Sequence, residues 1–362
     1  MAFSSSSSSH CFLLLPLLLF SVLIAHSAAQ GGRFTCNSSS KCQSLVGYLT
    51  PNATTLSELQ SLFTVKKLRS ILGANNLPLS TPRSFSIPAN QTIKIPIPCV
   101  CSNGTGISDR VPIYKVKKDD GLFHIAADVF GGLVQFQHIV EINNIPNPDL
   151  IEVNQSLWIP LPCSCDEVNG ERVVHYAHVV LEGSSVEEIS SEFGVDKETL
   201  LKLNGISGDN QLIAAKAFDV PLRACNSSIR NDSLDFPLLV SNNTSVFTAN
   251  NCVKCSCSSA NNWILQCEPT AIPPSSNSGT CPSMLCAGSN NLSLGNTSTT
   301  SCNRTTCSYA GFSRQTIHTT LLSESTCATP LPPPNHAPTS RLSWNLVLIS
   351  VHLLLLSLHF LL

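Results

Sequence analysis

The feature that most constrains this chain is a unit that occurs three times. Asn143-Asn144-Ile145 aligns with Asn204-Gly205-Ile206, and each first Asn precedes a strand-like Pro at the same distance. That distance is 17 residues both from Asn143 to Pro160 and from Asn204 to Pro221. One helical turn before each Asn stands an apolar residue, Ile139 and Leu200. Further upstream, Ile125-Ala126 with Phe130-Gly131 matches Ile189-Ser190 with Phe193-Gly194. A third copy precedes both. Asn75-Asn76-Leu77 leads to Ile93-Lys94-Ile95-Pro96-Ile97-Pro98-Cys99, with 21 residues from Asn75 to Pro96 and an added loop carrying Pro78, Pro82 and Pro88. Matched internal spacing at three places is a repeat.

Each unit reads as strand, helix, turn, helix, strand. Thr55-x-x-Glu58 and Ser185-x-x-Glu188 are capping boxes, in which hydroxyl and carboxylate satisfy the free N–H groups at a helix start. The middle copy has Asp120-Gly121-Leu122 instead, expected to be a weaker cap with a more open loop. Gly131-Gly132 and Gly194 break the chain between helices. The expected fold class is α+β, with three small βααβ modules packed through disulfides and followed by a Cys-rich irregular stalk. A module of this size is marginal alone, and crosslinks would add about 2–4 kcal/mol each.

Seventeen cysteines supply them. Cys11 lies in an apolar leader, residues 11–25, which Ser27-Ala28-Ala29 closes as a cleavage site. The remaining even number in a secreted chain predicts a disulfide framework. Cys99-Val-Cys101 and Cys163-Ser-Cys165 are C-x-C pairs, too strained to bridge internally, so each sulfur should reach a distant partner. A shared metal ion is the competing reading. Structural zinc spacing is C-x2-4-C and the compartment is oxidising, so no metal and no other cofactor is expected.

Charged residues make up only 12% of the chain, with a net charge of −2. No basic field is present to hold nucleic acid. Sugar is expected to supply the missing solvation. Twelve sequons occur, at Asn37, Asn52, Asn90, Asn103, Asn154, Asn226, Asn231, Asn242, Asn243, Asn291, Asn296 and Asn303. Asn242 and Asn243 overlap and leave room for one glycan. Residues 346–362 form an apolar tail too short and unflanked for an ordinary membrane span. With small residues and a polar spacer before it, the tail reads as a glycolipid (GPI) anchor signal, with attachment expected at Asn335. A transmembrane tail is the alternative, and neither leaves room for a cytoplasmic kinase.

On these residues a resemblance can be stated. Tyr114-Lys-Val through Asp119-Asp120-Gly121-Leu122, then Ile125-Ala126, Asn143-Asn144-Ile145-Pro146 and Trp158-Ile159-Pro160-Leu161-Pro162-Cys163, resemble a LysM module. Three such modules with C-x-C junctions, a Cys-rich tail and an anchor signal resemble the plant LysM GPI-anchored proteins, chitin-elicitor-binding group. The likeness covers residues 36–327, most strongly 99–257. It implies the pairs Cys36–Cys101, Cys42–Cys165 and Cys99–Cys163; spacing alone leaves about 15 connectivities open. It also implies a shallow groove for N-acetylglucosamine chains between two loops of the middle module. These loops carry Lys118, Asp119, Asp120, Gly121 and Leu122, and Asn144, Ile145, Pro146, Asn147, Pro148, Asp149 and Leu150. Gly121 stands where the family often has Thr or Ser. Loop N–H groups would bond the acetyl oxygen, at about 1 kcal/mol each. Leu122 or Ile145 would cover the acetyl methyl, worth about 0.8 kcal/mol, unless both are core residues. Trp158 reads as packing rather than as a sugar platform, and Pro146 and Pro148 as turn formers.

The domain organisation expected is a signal peptide (1–29), a first module with its N-terminal Cys segment (30–99), a second (100–163) and a third (164–225). A Cys-rich glycosylated region (226–329), a Pro-rich linker and spacer (330–345) and the tail (346–362) follow. The resemblance implies chitin binding in defence signalling, a LysM receptor-like kinase as co-receptor and a ligand-induced homodimer. It further implies a place on the outer face of the plasma membrane, plasmodesmata included. Alternatives are a peptidoglycan sensor and a structural wall-polymer-binding glycoprotein. An enzyme is not expected. His175-x-x-His178 beside Asp166 and Glu167 faces both sides of a strand, Glu187-Glu188 suits a helix start, and no paired cleft carboxylates or nucleophile motif occur.

Overall fold

The computed structural model describes residues 34–37, 39–271, 280–289, 291–325 and 327. The leader, Asn335, the Pro-rich linker and the apolar tail lie outside the described residues. A two-residue strand, β1 (Phe34–Thr35), opens the chain. The first module runs through β2 (Lys41–Leu49), β3 (Thr54–Thr55), α1 (Leu56–Leu62), α2 (Leu68–Ala74), β4 (Ser86–Ile87) and β5 (Thr92–Ser102), and β6 (Thr105–Ser108) turns back along β5. The second has β7 (Ile113–Lys115), α3 (Leu122–His124) continued by a π-helical turn at Ile125–Val129, α4 (Phe136–Ile142) and β8 (Ser156–Trp158). The third has β9 (Val173–Val179), α5 (Val186–Phe193), α6 (Lys197–Leu203) and β10 (Ala217–Arg223).

The recurrent asparagine is the device that closes each module. In the first, the Asn75 amide donates to the carbonyls of Ile71 and Lys94, both at 2.8 Å, and its oxygen accepts the Lys94 N–H at 2.9 Å. Asn143 does the same with Ile139 (2.9 Å) and Trp158 (2.8 and 2.9 Å). Asn204 repeats it with Leu200 (2.9 Å) and Asp219 (2.9 and 2.7 Å). One side-chain amide thus satisfies a helix-end carbonyl and takes the place of a neighbouring strand. The capping boxes of the flanking modules form as expected. Glu58 N–H donates to Thr55 Oγ1 at 3.2 Å and Glu188 N–H to Ser185 Oγ at 3.2 Å, while the Thr55 and Ser185 N–H groups donate back to the two carboxylates at 2.8 Å each.

Packing joins the modules more closely than crosslinks alone. A six-stranded sheet runs β1-β6-β5-β2-β9-β10, so the first and third modules share it through a parallel pairing of β2 with β9, Leu45 opposite Tyr176. Gly47 is needed at this seam, since a Cβ there would stand 2.0 Å from the Tyr176 hydroxyl. The second module keeps its own two strands, β7 with β8. Edge-on aromatic contacts bind it to the first, from Tyr48 to Phe63 (5.1 Å), Phe63 to Phe130 (5.7 Å) and Phe130 to Tyr114 (5.8 Å). Bridges Cys36–Cys101, Cys42–Cys165 and Cys99–Cys163 cluster at the junctions.

Beyond Cys225 the chain is more regular than its composition conveys. β11 (Thr244–Thr248), β12 (Val253–Cys257) and β13 (Gln266–Pro269) form a sheet around its own apolar cluster of Val240, Val253 and Leu265. The bridges Cys225–Cys257, Cys252–Cys281 and Cys255–Cys267 staple it. Strands β14 (Thr297–Thr300), β15 (Asn303–Ser313) and β16 (Thr316–Ser325) follow, with Cys286–Cys307. Helix α2 lies against β11, and Gly73 permits the approach, because a Cβ there would meet the Ser245 carbonyl oxygen at 2.2 Å. Among the described residues, a second, smaller unit comprises 299–305, 323–325 and 327, and Cys302–Cys327 closes it.

Replacing Asn143 with Ala strands the Trp158 N–H and carbonyl and leaves the Ile139 carbonyl with only the backbone N–H of residue 143, an expected loss of about 2–4 kcal/mol in the second module. Hydrogen exchange should rise across residues 113–158 before it rises in the shared sheet. Uniform protection in the variant would contradict the role assigned to the amide.

Candidate functional site

The ends of the two loops expected to flank a groove are tied to one strand pair in the second module. Val116 N–H donates to the Gln155 carbonyl at 2.9 Å and Asn154 N–H to the Val116 carbonyl at 2.8 Å, which extends the β7–β8 ladder to the point where the first loop leaves and the second returns. Asp119, at φ 67°, turns the first loop, and Asn144, at φ 51°, starts the second. Lys118, Asp119, Gly121, Asn144, Pro146, Asn147, Pro148, Asp149 and Leu150 lie at the surface of these loops. The Asn147 side chain accepts the Asp149 N–H at 3.0 Å and shapes the turn.

Three residues take roles other than those expected from the sequence. Asp120 does not cap the helix; Gly121 occupies the cap position, and no side chain bonds there. The Asp120 carboxylate accepts the Lys117 N–H at 2.7 Å and the Tyr114 hydroxyl at 2.8 Å, so it pins the loop rather than leaving it open. Burial, and next the Asp120 carboxylate, raise the Tyr114 hydroxyl far above the ordinary tyrosine range. Leu122 and Ile145 are core residues, packed with Ile125 and Ile139, and neither offers its side chain to a ligand. The exposed apolar surface belongs instead to Phe123 (70% exposed), Leu150 (73%) and Val153 (55%). The sequence does not single out Phe123, because the adjacent apolar pair Leu122-Phe123 does not reveal which member faces inward, and Val153 stands alone between Glu152 and Asn154. The π-helical turn that begins at Ile125 shifts the phase further. Trp158 is half-buried, and its indole N–H has no partner among the described residues.

A comparison within the chain distinguishes the second module. In the first, the N–H groups of Leu56 and Ser57 at the helix start are covered by the Phe85 carbonyl (3.2 Å) and the Arg83 carbonyl (3.0 Å) of its longer second loop. In the third, the Val186 N–H donates to the Asp209 carboxylate at 2.7 Å. In the second, no such bond covers the N–H groups of Leu122 and Phe123 among the described residues. A Cβ on Gly121 would meet nothing within 4 Å, so the space in front of them is open.

The histidine pair of the third module is structural. His175 is buried; Nδ1 bonds the Asp219 carboxylate at 2.9 Å and Nε2 bonds the Asp166 carbonyl at 2.9 Å. The two described groupings with metal-ligand geometry, Cys42 with Cys99 and Cys165 and Cys36 with Cys101 and Asp166, have every sulfur in a disulfide and offer no thiolate.

A βααβ unit repeated three times, with paired loops at one end of the second copy, defines a LysM-module protein. The LysM domain family matches residues 114–160 and 178–216. The chain is 53% identical over 352 residues to LysM domain-containing GPI-anchored protein 2 of Arabidopsis thaliana, covering 96% of this chain and 98% of that one. It is 42% identical over 340 residues to the chitin elicitor-binding protein of Oryza sativa subsp. japonica, covering 92% and 93%. A solved receptor-like kinase ectodomain aligns at 19% identity with a TM-score of 0.44, over 51% of this chain and 94% of that one. The chain belongs to the plant family of LysM domain-containing GPI-anchored proteins.

The two histidines predict the pH dependence of the third module. Burial opposes the charged form of His175, but Asp219 outweighs it and raises the pKa. Its stabilising charge is complete below the unfolded value and is lost as pH rises through the folded one. Burial lowers His178 to about 4, so its contribution is lost as pH falls from the ordinary histidine range toward that value. Stability should peak near an ordinary histidine pKa of about 6.5. His175→Gln should remove the decline on the alkaline side, as thermal unfolding across pH would report.

Proposed function

We propose that this protein binds N-acetylglucosamine oligomers of the chitin type at the open end of its second module, and that this serves pattern recognition in defence. The observation that carries the reading is the uncovered pair of N–H groups at Leu122 and Phe123, beside the exposed side chains of Phe123 and Leu150. An acetamido group matches that surface. Its oxygen accepts backbone N–H bonds, and its methyl and sugar face cover apolar side chains. In the first module both corresponding N–H groups, of Leu56 and Ser57, are already bonded by its own loop, and in the third the first of them, of Val186, is bonded by Asp209. The rice relative carries chitin elicitor binding in its name.

Contacts of this kind give weak binding per sugar, so useful affinity requires a chain of several units or one polymer engaging two proteins. The protein works as a binder and not as a hydrolase. It is held at the outer face of the plasma membrane, plasmodesmata included, by a glycolipid anchor, and it passes the signal to a LysM receptor-like kinase. A ligand-induced homodimer belongs to the same proposal, since one polymer can engage two copies on a membrane.

Affinity of the purified ectodomain should rise with chitin oligomer length, with the oligomers recovered uncut by mass. Truncating Leu150 or Phe123 to Ala should weaken binding by about 1–2 kcal/mol, roughly 5- to 30-fold, while Leu79→Ala on the first module changes little. Equal affinity of the variants, or binding to peptidoglycan fragments alone, would overturn the reading. Crosslinking on intact cells should recover a transmembrane LysM kinase only when chitin is added; recovery of none would remove the co-receptor step.

A further inference from the structure

A cleft of about 920 Å³ lies where the first module, the third module and the Cys-rich region adjoin, away from the loops of the second module. Its size suits a disaccharide or larger. Trp263 stands on one wall. Its backbone holds φ 58°, a left-handed conformation that a bulky residue rarely adopts, and the Asn226 N–H anchors its carbonyl at 2.7 Å. The Arg223 guanidinium sits 4.7 Å from the indole centroid and fixes the ring. Such a conformation persists only where the surroundings impose it, and it clusters at binding sites.

Asn76 and Lys94 of the first module and Glu192 of the third line the same cleft. Among the described residues, no hydrogen bond or ion pair engages the Lys94 ammonium, the Trp263 indole N–H or the side-chain amides of Asn76 and Asn243. Burial lowers the Lys94 pKa, and the Glu192 carboxylate resists the shift. The wall therefore combines an aromatic ring with unengaged amide and ammonium donors. Charges of both signs line it, Lys94 and Arg223 against Glu171, Glu192 and Asp196, so it has no positive field that would select an anion. A neutral polyhydroxyl ligand with a flat hydrophobic face fits this chemistry.

The rim narrows the sugar class. Asn242 and Asn243 line the cleft, and both lie in sequons. The Asn242 amide oxygen accepts the Ser259 N–H at 2.9 Å, whereas Asn243 is exposed at φ 54°. A glycan on Asn243 would begin with two β-1,4-linked N-acetylglucosamines at the mouth of the cleft. We infer that this cleft is a second saccharide site, separate from the second-module groove, and that its occupant is a β-1,4-linked N-acetylglucosamine pair. The pair is either the core of the protein's own Asn243 glycan or the end of a free oligomer; the chemistry is the same.

The test is calorimetric titration of the glycosylated ectodomain with chitotetraose to millimolar concentration, before and after native removal of N-glycans. Two binding classes in the glycosylated protein assign the cleft to free oligomer. One class that becomes two after glycan removal assigns it to the Asn243 glycan. In either case Lys94→Gln should weaken the cleft class at least 5-fold and leave the other class unchanged. Trp263→Phe, which keeps a ring, should weaken it less than Trp263→Ala; circular dichroism and melting report whether the Ala variant is folded. One class in both preparations, abolished by Phe123→Ala with Leu150→Ala and indifferent to Lys94→Gln, overturns the inference. Should the second-module groove be the reading that fails, its double variant would change nothing while Lys94→Gln still acts.

Discussion

Three side-chain amides hold this molecule in shape. Asn75, Asn143 and Asn204 each join the end of a second helix to the closing strand of their module, making both backbone bonds of a single residue in that strand. Modules this small cannot fix a helix against a strand by buried area alone. A bidentate amide sets distance and angle together, because donor and acceptor lie in one plane. The following residue always turns left-handed, Asn76 at φ 52°, Asn144 at φ 51° and Gly205 at φ 63°. The second loop of every module therefore departs from the same point in the same direction. What the loop carries then decides whether it covers the first helix, as residues 83–85 do with their carbonyls and Asp209 does with its carboxylate, or leaves the helix start uncovered, as the second module's loop does.

The shared sheet follows from this local order. Once Asn75 and Asn204 seat their closing strands, the opening strands β2 and β9 are left with free edges, and they pair with each other. Ser44 reinforces the seam by donating to the His175 carbonyl at 2.6 Å, and His175 is in turn fixed by Asp219, the residue that Asn204 clasps. Edge protection, module docking and the buried histidine are thus one connected network. The strands β7 and β8 of the second module pair with each other, and aromatic edges, the Cys99–Cys163 bridge and backbone bonds from β6 to Leu161 and Cys163 hold the module in place. Its paired loops are left unencumbered as a result.

Much of this was legible in the sequence. The repeat, both capping boxes and the strand-helix-helix-strand order rest on local signals, and local signals survive folding. What was not legible is non-local or a matter of phase. Nothing in Leu45 or Tyr176 announces a parallel pairing across 131 positions. Asp120 before Gly121 has the composition of a cap, yet its carboxylate is claimed by Tyr114 and Lys117, and only the loop geometry decides that competition. Leu122-Phe123 is an apolar pair at the start of a short helix, where one residue of register reverses which side chain faces solvent. Polar composition after Cys225 concealed a sheet whose core is largely cystine, since Cys252, Cys255, Cys257 and Cys267 do the packing that larger aliphatics do elsewhere.

On the proposed reading, the weak cap of the second module and its open groove are one feature. A capping box stabilises a helix start by consuming its free N–H groups, at about 1 kcal/mol for a hydroxyl cap. The flanking modules take that stabilisation through Thr55 and Ser185, each of which consumes one N–H of its helix start. Gly121 forgoes it. The stability so lost must come from elsewhere, and the Asp120 clasp on Tyr114 supplies it without touching the donors at Leu122 and Phe123. A loop held rigid by a carboxylate behind it, with its N–H groups facing open space, is preorganised for an acceptor that arrives from solvent. Moving the polar contact from the front of the helix to the back of the loop is what converts a structural repeat into a binding surface.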